Sequence, residues 1–292
     1  MLWFLLIISA IFFFSWTNIL DKILVDKYAK NPILSIAACN ILTAPFLLIL
    51  IAFWPPTMLD NGSFLALFAA TLLSMLGGAL YYKIMQKSEA SRVIVVLQTA
   101  PVFIMILAMT FLDERPDAIK VLGVLSIVTA SILVSKKSGL TFDRWSLVAA
   151  VSSFIFAVYF ITLKSVLQSY DAWSVFIWNI IIAVSAITAF SPLYIKKLRE
   201  NIREKPKIVI VALASQVCFF CGHILRLNAL QMTEAALIGA IGGIQPIIVF
   251  GLSYALSSIS PNFFKEDFSK DNFKLKALGA FLAALGVALI AV

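Results

Sequence analysis

The chain is predicted to be an all-α integral membrane protein whose ten transmembrane helices form two inverted five-helix repeats. Three observations predict this. Hydrophobic residues fill 62% of its 292 positions and charged residues only 13%, whereas a soluble domain is nearer half apolar and a quarter charged. The mean hydropathy is +1.00, and the apolar residues gather into runs long enough to cross a bilayer. The chain also repeats itself. "QKSEASRVIVVLQTAPVF" is echoed by "QMTEAALIGAIGGIQPII", with Gln86 and Gln231, Glu89 and Glu234, and Pro101 and Pro246 at one constant separation.

The first span, Leu2–Leu20, lacks the basic start and small-residue cleavage pattern of a signal peptide, so it is expected to be retained. Pro32–Trp54, Ser63–Tyr82 and Ala90–Leu112 follow, and Ala118–Val134 closes the first half. The second half supplies Trp145–Val166, Trp173–Ile195, Ile208–Leu227, Ala235–Leu256 and Leu275–Val292. The intervening pieces are short and carry nearly all the charge, so no soluble domain is expected. A first repeat over 1–139 and a second over 140–292 account for the echo, and the second holds extra residues in "SSISPNFFKEDFSKDNF". Five is odd, so the second repeat starts on the opposite side of the membrane. Inverted pairs of this kind build transporters with a site between the repeats near the midplane.

Within the echo, Ser88 and Thr233 stand where a hydroxyl caps a helix start, and Glu89 and Glu234 where a negative charge meets the helix dipole. Pro101 and Pro246 are expected deep in their helices, where each removes a backbone hydrogen bond. They are either kinks that line a cavity or kinks that are merely tolerated.

"SWTN" at Ser15–Asn18 with Lys22 beyond it, Pro101 followed by "FLDER", and the closing runs "KVLGVLSIVTASILV" and "KALGAFLAALGVALI" resemble the drug/metabolite transporter superfamily, specifically its ten-helix EamA-type members. The likeness covers essentially the whole chain. It implies a carrier of amino acids, other metabolites, nucleotide sugars or drugs. Two positions depart from the pattern: Thr17 stands where the family has Gly after the first-helix Trp, and Asp113 where it has Gly before Glu114.

Polar and aromatic groups within the spans are the candidates for substrate contact: Trp16, Asn18, Tyr81, Gln98, Tyr159, Gln216, His223 and Gln245. Buried amides cost roughly 1–3 kcal/mol when unpaired, so each needs a partner or a wet cavity. Packing and interhelical bonds are the alternative roles for all of them. His223, the single histidine, is an ionisable group within a span and so either a pathway residue or a neutral ring bonded to a neighbouring helix. Gln216 shares its helix face. Asn40 and Asn179 read as interhelical bonds, Trp54 and Trp173 as interfacial anchors.

The run "CFFCGH" lacks the spacing for haem attachment and the extra ligands for zinc. No cofactor or metal is expected. No basic cluster alternates with aromatics, so nucleic acid is not an expected partner; a small-molecule substrate and membrane lipids are, with the chain a monomer or weak homodimer. All 15 acidic residues are read as lying in loops or at helix ends, which points to uncoupled transport of a neutral or zwitterionic substrate. Of 23 Lys and Arg residues, all but Arg115, Lys120, Lys164 and Arg226 fall on one side. The positive-inside rule then puts both termini outside the cytoplasm, in an inner or plasma membrane. Two other functions stay open: a flippase for lipid headgroups or polyprenyl carriers, and an integral-membrane enzyme. The enzyme would need a nucleophile–base pattern that the chain does not show.

Overall fold

A computed structural model describes residues 2–28, 32–87, 100–135, 144–259, 278–279, 281–282 and 284–289. Every described element is a helix: α1 (Leu2–Ile23, continued by a π turn Leu24–Tyr28), α2 (Pro32–Phe53), α3 (Asn61–Lys87), α4 (Ala100–Phe111), α5 (Ala118–Ser135), α6 (Arg144–Leu167), α7 (Ala172–Ala189), α8 (Lys207–Met232), α9a (Ala235–Gly242) and α9b (Gln245–Ile259). Five of the described helices are long and apolar enough to cross a membrane, and four shorter apolar helices accompany them. Helix is the expected answer in hydrocarbon, where each backbone N–H and C=O must find its partner within the segment.

Polarity runs inside out. Leu5, Phe12, Leu48, Phe53, Leu65 and Ile210 are exposed, while Ser15, Thr71, Ser152, Ser153, Asn179 and His223 are buried. Two of the buried hydroxyls are satisfied on their own helices, Ser15 Oγ donating to Ile11 O (2.8 Å) and Thr71 Oγ1 to Leu67 O (2.7 Å).

The helices of the two halves interlock. The most extensive packing joins α1 to α8 and α3 to α6, and further contacts join α2 to α8, α3 to α7, α4 to α6 and α1 to α9b. These pairs exchange with one another when every helix is replaced by the one five places along, the pattern of a two-fold between repeats. The α1–α8 contact is close because Gly222 is small: a Cβ there would stand 3.0 Å from the Phe14 ring and 3.1 Å from the Ala10 carbonyl. The glycine of "CFFCGH" is thus a packing residue. Across α3 and α6, Ser152 Oγ donates to Gly77 O at 3.0 Å.

Loops sort onto two faces. On one, Lys205 Nζ reaches Lys27 O (3.2 Å). On the other, Tyr170 Oη donates to Asp60 Oδ2 (2.8 Å), Trp173 Nε1 to Trp54 O (3.0 Å) and Trp178 Nε1 to Thr57 O (2.9 Å). The anchoring expected of Trp54 and Trp173 therefore includes a bond between the halves.

Two expectations are corrected. The seventh span stops at Ala189 rather than Ile195, because Pro192 opens a 3-10 turn (Ser191–Leu193) that cannot continue the helix. Beyond it Ile195–Glu204 forms a separate amphipathic helix, burying Leu198 and exposing Lys196, Lys197, Arg199 and Arg203. The ninth span is broken, not kinked: Gly243 N and Ile244 N turn back to Ala240 O (2.8 Å) and Ile241 O (3.0 Å), and Pro246 stands in the first turn of α9b. The expectation for Pro101 depends on residues 90–99, which lie outside the described residues.

Candidate functional site

The "QMTEAA" cap comes from an unexpected side chain. Glu234 precedes α9a without a side-chain cap bond. The carboxylate of Glu114, from "FLDER", accepts from Ala235 N (2.7 Å) and Ala236 N (3.0 Å) instead, where the positive end of the helix favours it. Asp113 makes this reach possible by adopting φ 54°, and Glu114 N closes back onto Ala108 O at 3.3 Å, a left-handed helix stop usually given to glycine. Lys164 Nζ donates to Leu230 O (2.7 Å) and Thr233 O (2.8 Å), capping the C-terminal end of α8. Lys120 lies 3.9 Å from Glu234. Glu114, Lys164, Gln168, Gln231, Thr233 and Glu234 border a pocket of about 450 Å³ on this face. Ser88 and Glu89, the equivalents in the first half, lie outside the described residues.

Below that face is a buried polar cluster. His223 is fully buried on α8. Its Nδ1 lies 2.9 Å from Arg226 Nη2 and its Nε2 3.4 Å from Tyr159 Oη. Arginine can only donate, so Nδ1 is the acceptor and the proton sits on Nε2, facing Tyr159 on α6. The ring is neutral and stacks on Phe219 at 5.5 Å. Asn179 on α7 donates to Thr71 Oγ1 on α3 (2.8 Å) and also faces Tyr159. The network thus runs from α8 through α6 and α7 to α3.

Arg226, counted among the few cations toward the other side and absent from the substrate-contact candidates, stands in that half of α8, one turn from His223, with its guanidinium over Phe14 (4.8 Å) and Phe160 (5.6 Å). Its Nε is buried and has no hydrogen-bond partner. At 1.5 Å per residue, Arg226 and His223 lie about 9 and 14 Å from the Met232 end of α8, and the α9a break about 12 Å from Ala235. The half-buried Arg226 and the α9a break thus stand at comparable distances from these two helix ends.

The other candidates fall elsewhere. Tyr81 Oη donates to Asn18 Oδ1 at 3.3 Å, a separate pair joining α3 and α1. Gln216 is buried on α8, Trp16 is half-buried on α1, and Gln245 is half-buried at the start of α9b. Gln98 lies outside the described residues. One acid at a helix end is buried: Asp21, in the last turn of α1 and one residue past the predicted span, accepts from Ser215 Oγ at 2.7 Å.

The model of the EamA-like transporter family matches residues 1–136 and again 143–292. The chain belongs to the EamA-like transporter family. A solved crystal structure shares the fold with a TM-score of 0.68 at 13% identity, covering 97% of this EamA-like chain and 98% of its own. A search of the curated proteins returns no match. The family is one of membrane transporters, which agrees with the apolar helices and with a role in moving small molecules across a bilayer.

Proposed function

We propose that this EamA-like protein carries small metabolites bearing a carboxylate, amino acids foremost, by alternating access between inverted repeats 1–139 and 140–292, as an exporter or facilitator. The observation that carries the substrate class is Arg226. A half-buried guanidinium whose Nε is buried and unbonded, beside a neutral histidine, calls for an anionic partner. A carboxylate takes the guanidinium fork, and an amino-acid side chain or ammonium finds the rings of Phe14, Phe160, Phe219 and Phe220. Tyr159 and Asn179 supply further polar contacts. Trp16, Asn18, Tyr81, Gln98, Gln216 and Gln245 extend the pathway toward the other face. The protein is a ten-helix monomer or weak homodimer of the inner or plasma membrane, with both termini outside the cytoplasm.

Purified protein in liposomes, offered a panel of radiolabelled amino acids, tests this. At least one is expected to exchange, with Arg226→Gln losing at least about tenfold in apparent affinity, or about 1.4 kcal/mol. Arg226→Lys should recover part of it, because a point charge replaces a fork. Unchanged exchange in Arg226→Gln, or transport confined to uncharged solutes and lipids, overturns the reading.

A further inference from the structure

A second charged group lies against the other half of α8 from Arg226. Ser215 stands eight residues before His223 on α8, about 12 Å away along its axis, and its hydroxyl donates to the buried Asp21 carboxylate at 2.7 Å. Thr17, one turn earlier on α1, leans on the same point of α8, its hydroxyl 3.5 Å from Ser215 O. From α3 the hydroxyls of Tyr82 and Tyr81 face Asp21, from α2 the Cys39 thiol does, and Lys22 adjoins it on its own helix. The helix widens into a π turn three residues later, a distortion that recurs at functional positions. A structural acid at an α1–α8 seam has no need of a charge: a serine or asparagine would join the helices at far lower desolvation cost.

We propose that Asp21 is a proton-binding site that couples transport to the proton gradient. Ionised, Asp21 accepts charge-assisted bonds and holds α1 to α8 near the basic face. When it takes up a proton from the water on one side, the acceptor loses its charge, the Ser215 bond weakens, and the seam is free to open. The proton leaves to the other side after the repeats rock. The ligand is a proton rather than a sodium ion, because the Cys39 thiol is a poor ligand for a hard cation and Lys22 adjoins the carboxylate with a positive charge. Coupling rests on the transporter reading; the proton site itself does not.

The test has two arms on the full chain in liposomes. In the first, infrared difference spectra between high and low pH are compared for wild type, Asp21→Asn and Asp21→Glu. Asparagine keeps the volume and an acceptor for Ser215, so it preserves the fold. A protonated-carboxyl band present in wild type, absent in Asp21→Asn and shifted in Asp21→Glu is expected; identical wild-type and Asp21→Asn spectra overturn the site. In the second arm, a pH gradient of about one unit is imposed with equal labelled amino acid on both sides. One-to-one coupling supports accumulation up to about tenfold, lost in Asp21→Asn while exchange without a gradient persists. Accumulation that survives in Asp21→Asn, follows sodium instead, or never develops in an exchanging wild type overturns the coupling. If no amino acid moves at all, the proposed substrate class fails while the infrared arm still decides the proton site.

Discussion

At Asp113 the backbone turns left-handed, φ 54°, so that Glu114 meets the start of α9a. Glycine is the residue that takes this conformation without a Cβ penalty. Asp113→Gly is therefore expected to raise stability by about 0.5–1 kcal/mol and Asp113→Val to lower it by more, read as opposite shifts of the thermal midpoint in one detergent. This also explains a departure visible in the sequence, where Asp occupies the family's Gly position. His223 and Tyr159 were legible for a simple reason: each is a polar interruption of an apolar run. Arg226 was not, because it falls near the end of such a run, where hydropathy treats a cation as marking the surface. Asp21 was missed for the same reason. Hydropathy registers where apolarity ends, whereas α1 continues as helix to Ile23 and then as a π turn to Tyr28.

Among elements, the α1–α8 seam depends on Gly222. A valine there meets the Ala10 carbonyl and the Phe14 ring, neither of which can retreat without moving a helix. Gly222→Val is expected to cost about 1–3 kcal/mol and to disturb the ring over which Arg226 lies, so unfolding and substrate affinity should worsen together. A second joint, at the start of α3, is electrostatic. Asp60 accepts from Gly62 N (2.8 Å), Ser63 N (3.0 Å) and Tyr170 Oη (2.8 Å). Hydrogen bonds from Ser63, then Tyr170 and Gly62, hold its carboxyl well below the usual range. A lowered folded value means stability that is fully present above the unfolded value and is lost as pH falls from there through the folded one. Tyr170→Phe removes one donor and brings the folded value closer to the unfolded one, so its acid-induced loss of stability should be smaller than in wild type and end at higher pH. Helix positions were readable from apolar length, but the breaks after Ala189 and Gly242 were not. Both depend on where the chain satisfies a few backbone groups, which average hydropathy does not register.

For the whole molecule, the doubled sequence anticipated a packing pattern in which contacts exchange between halves. It did not anticipate what closes the face opposite the basic loops. There Glu114 of the first half caps a helix of the second, and Lys164 seals the end of α8 beside it. Glu114→Gln keeps the shape but weakens the bonds to Ala235 and Ala236. It should increase labelling of a Gln168→Cys reporter by an impermeant thiol reagent, relative to the same reporter with Glu114 intact. Orientation is tested at Asn201, where a cysteine should resist the reagent in intact cells if that loop is cytoplasmic; ready labelling would reverse the assignment. Asn201 lies on the amphipathic helix Ile195–Glu204, and that helix carries a further consequence. Its cations belong at the level of lipid headgroups, where each is worth about 1 kcal/mol against an anionic leaflet. It is covalently continuous with α8, which bears both Ser215 and Arg226. Under the proposed alternating access, the bilayer's surface charge enters the equilibrium between conformations, so replacing anionic with zwitterionic lipid should change turnover.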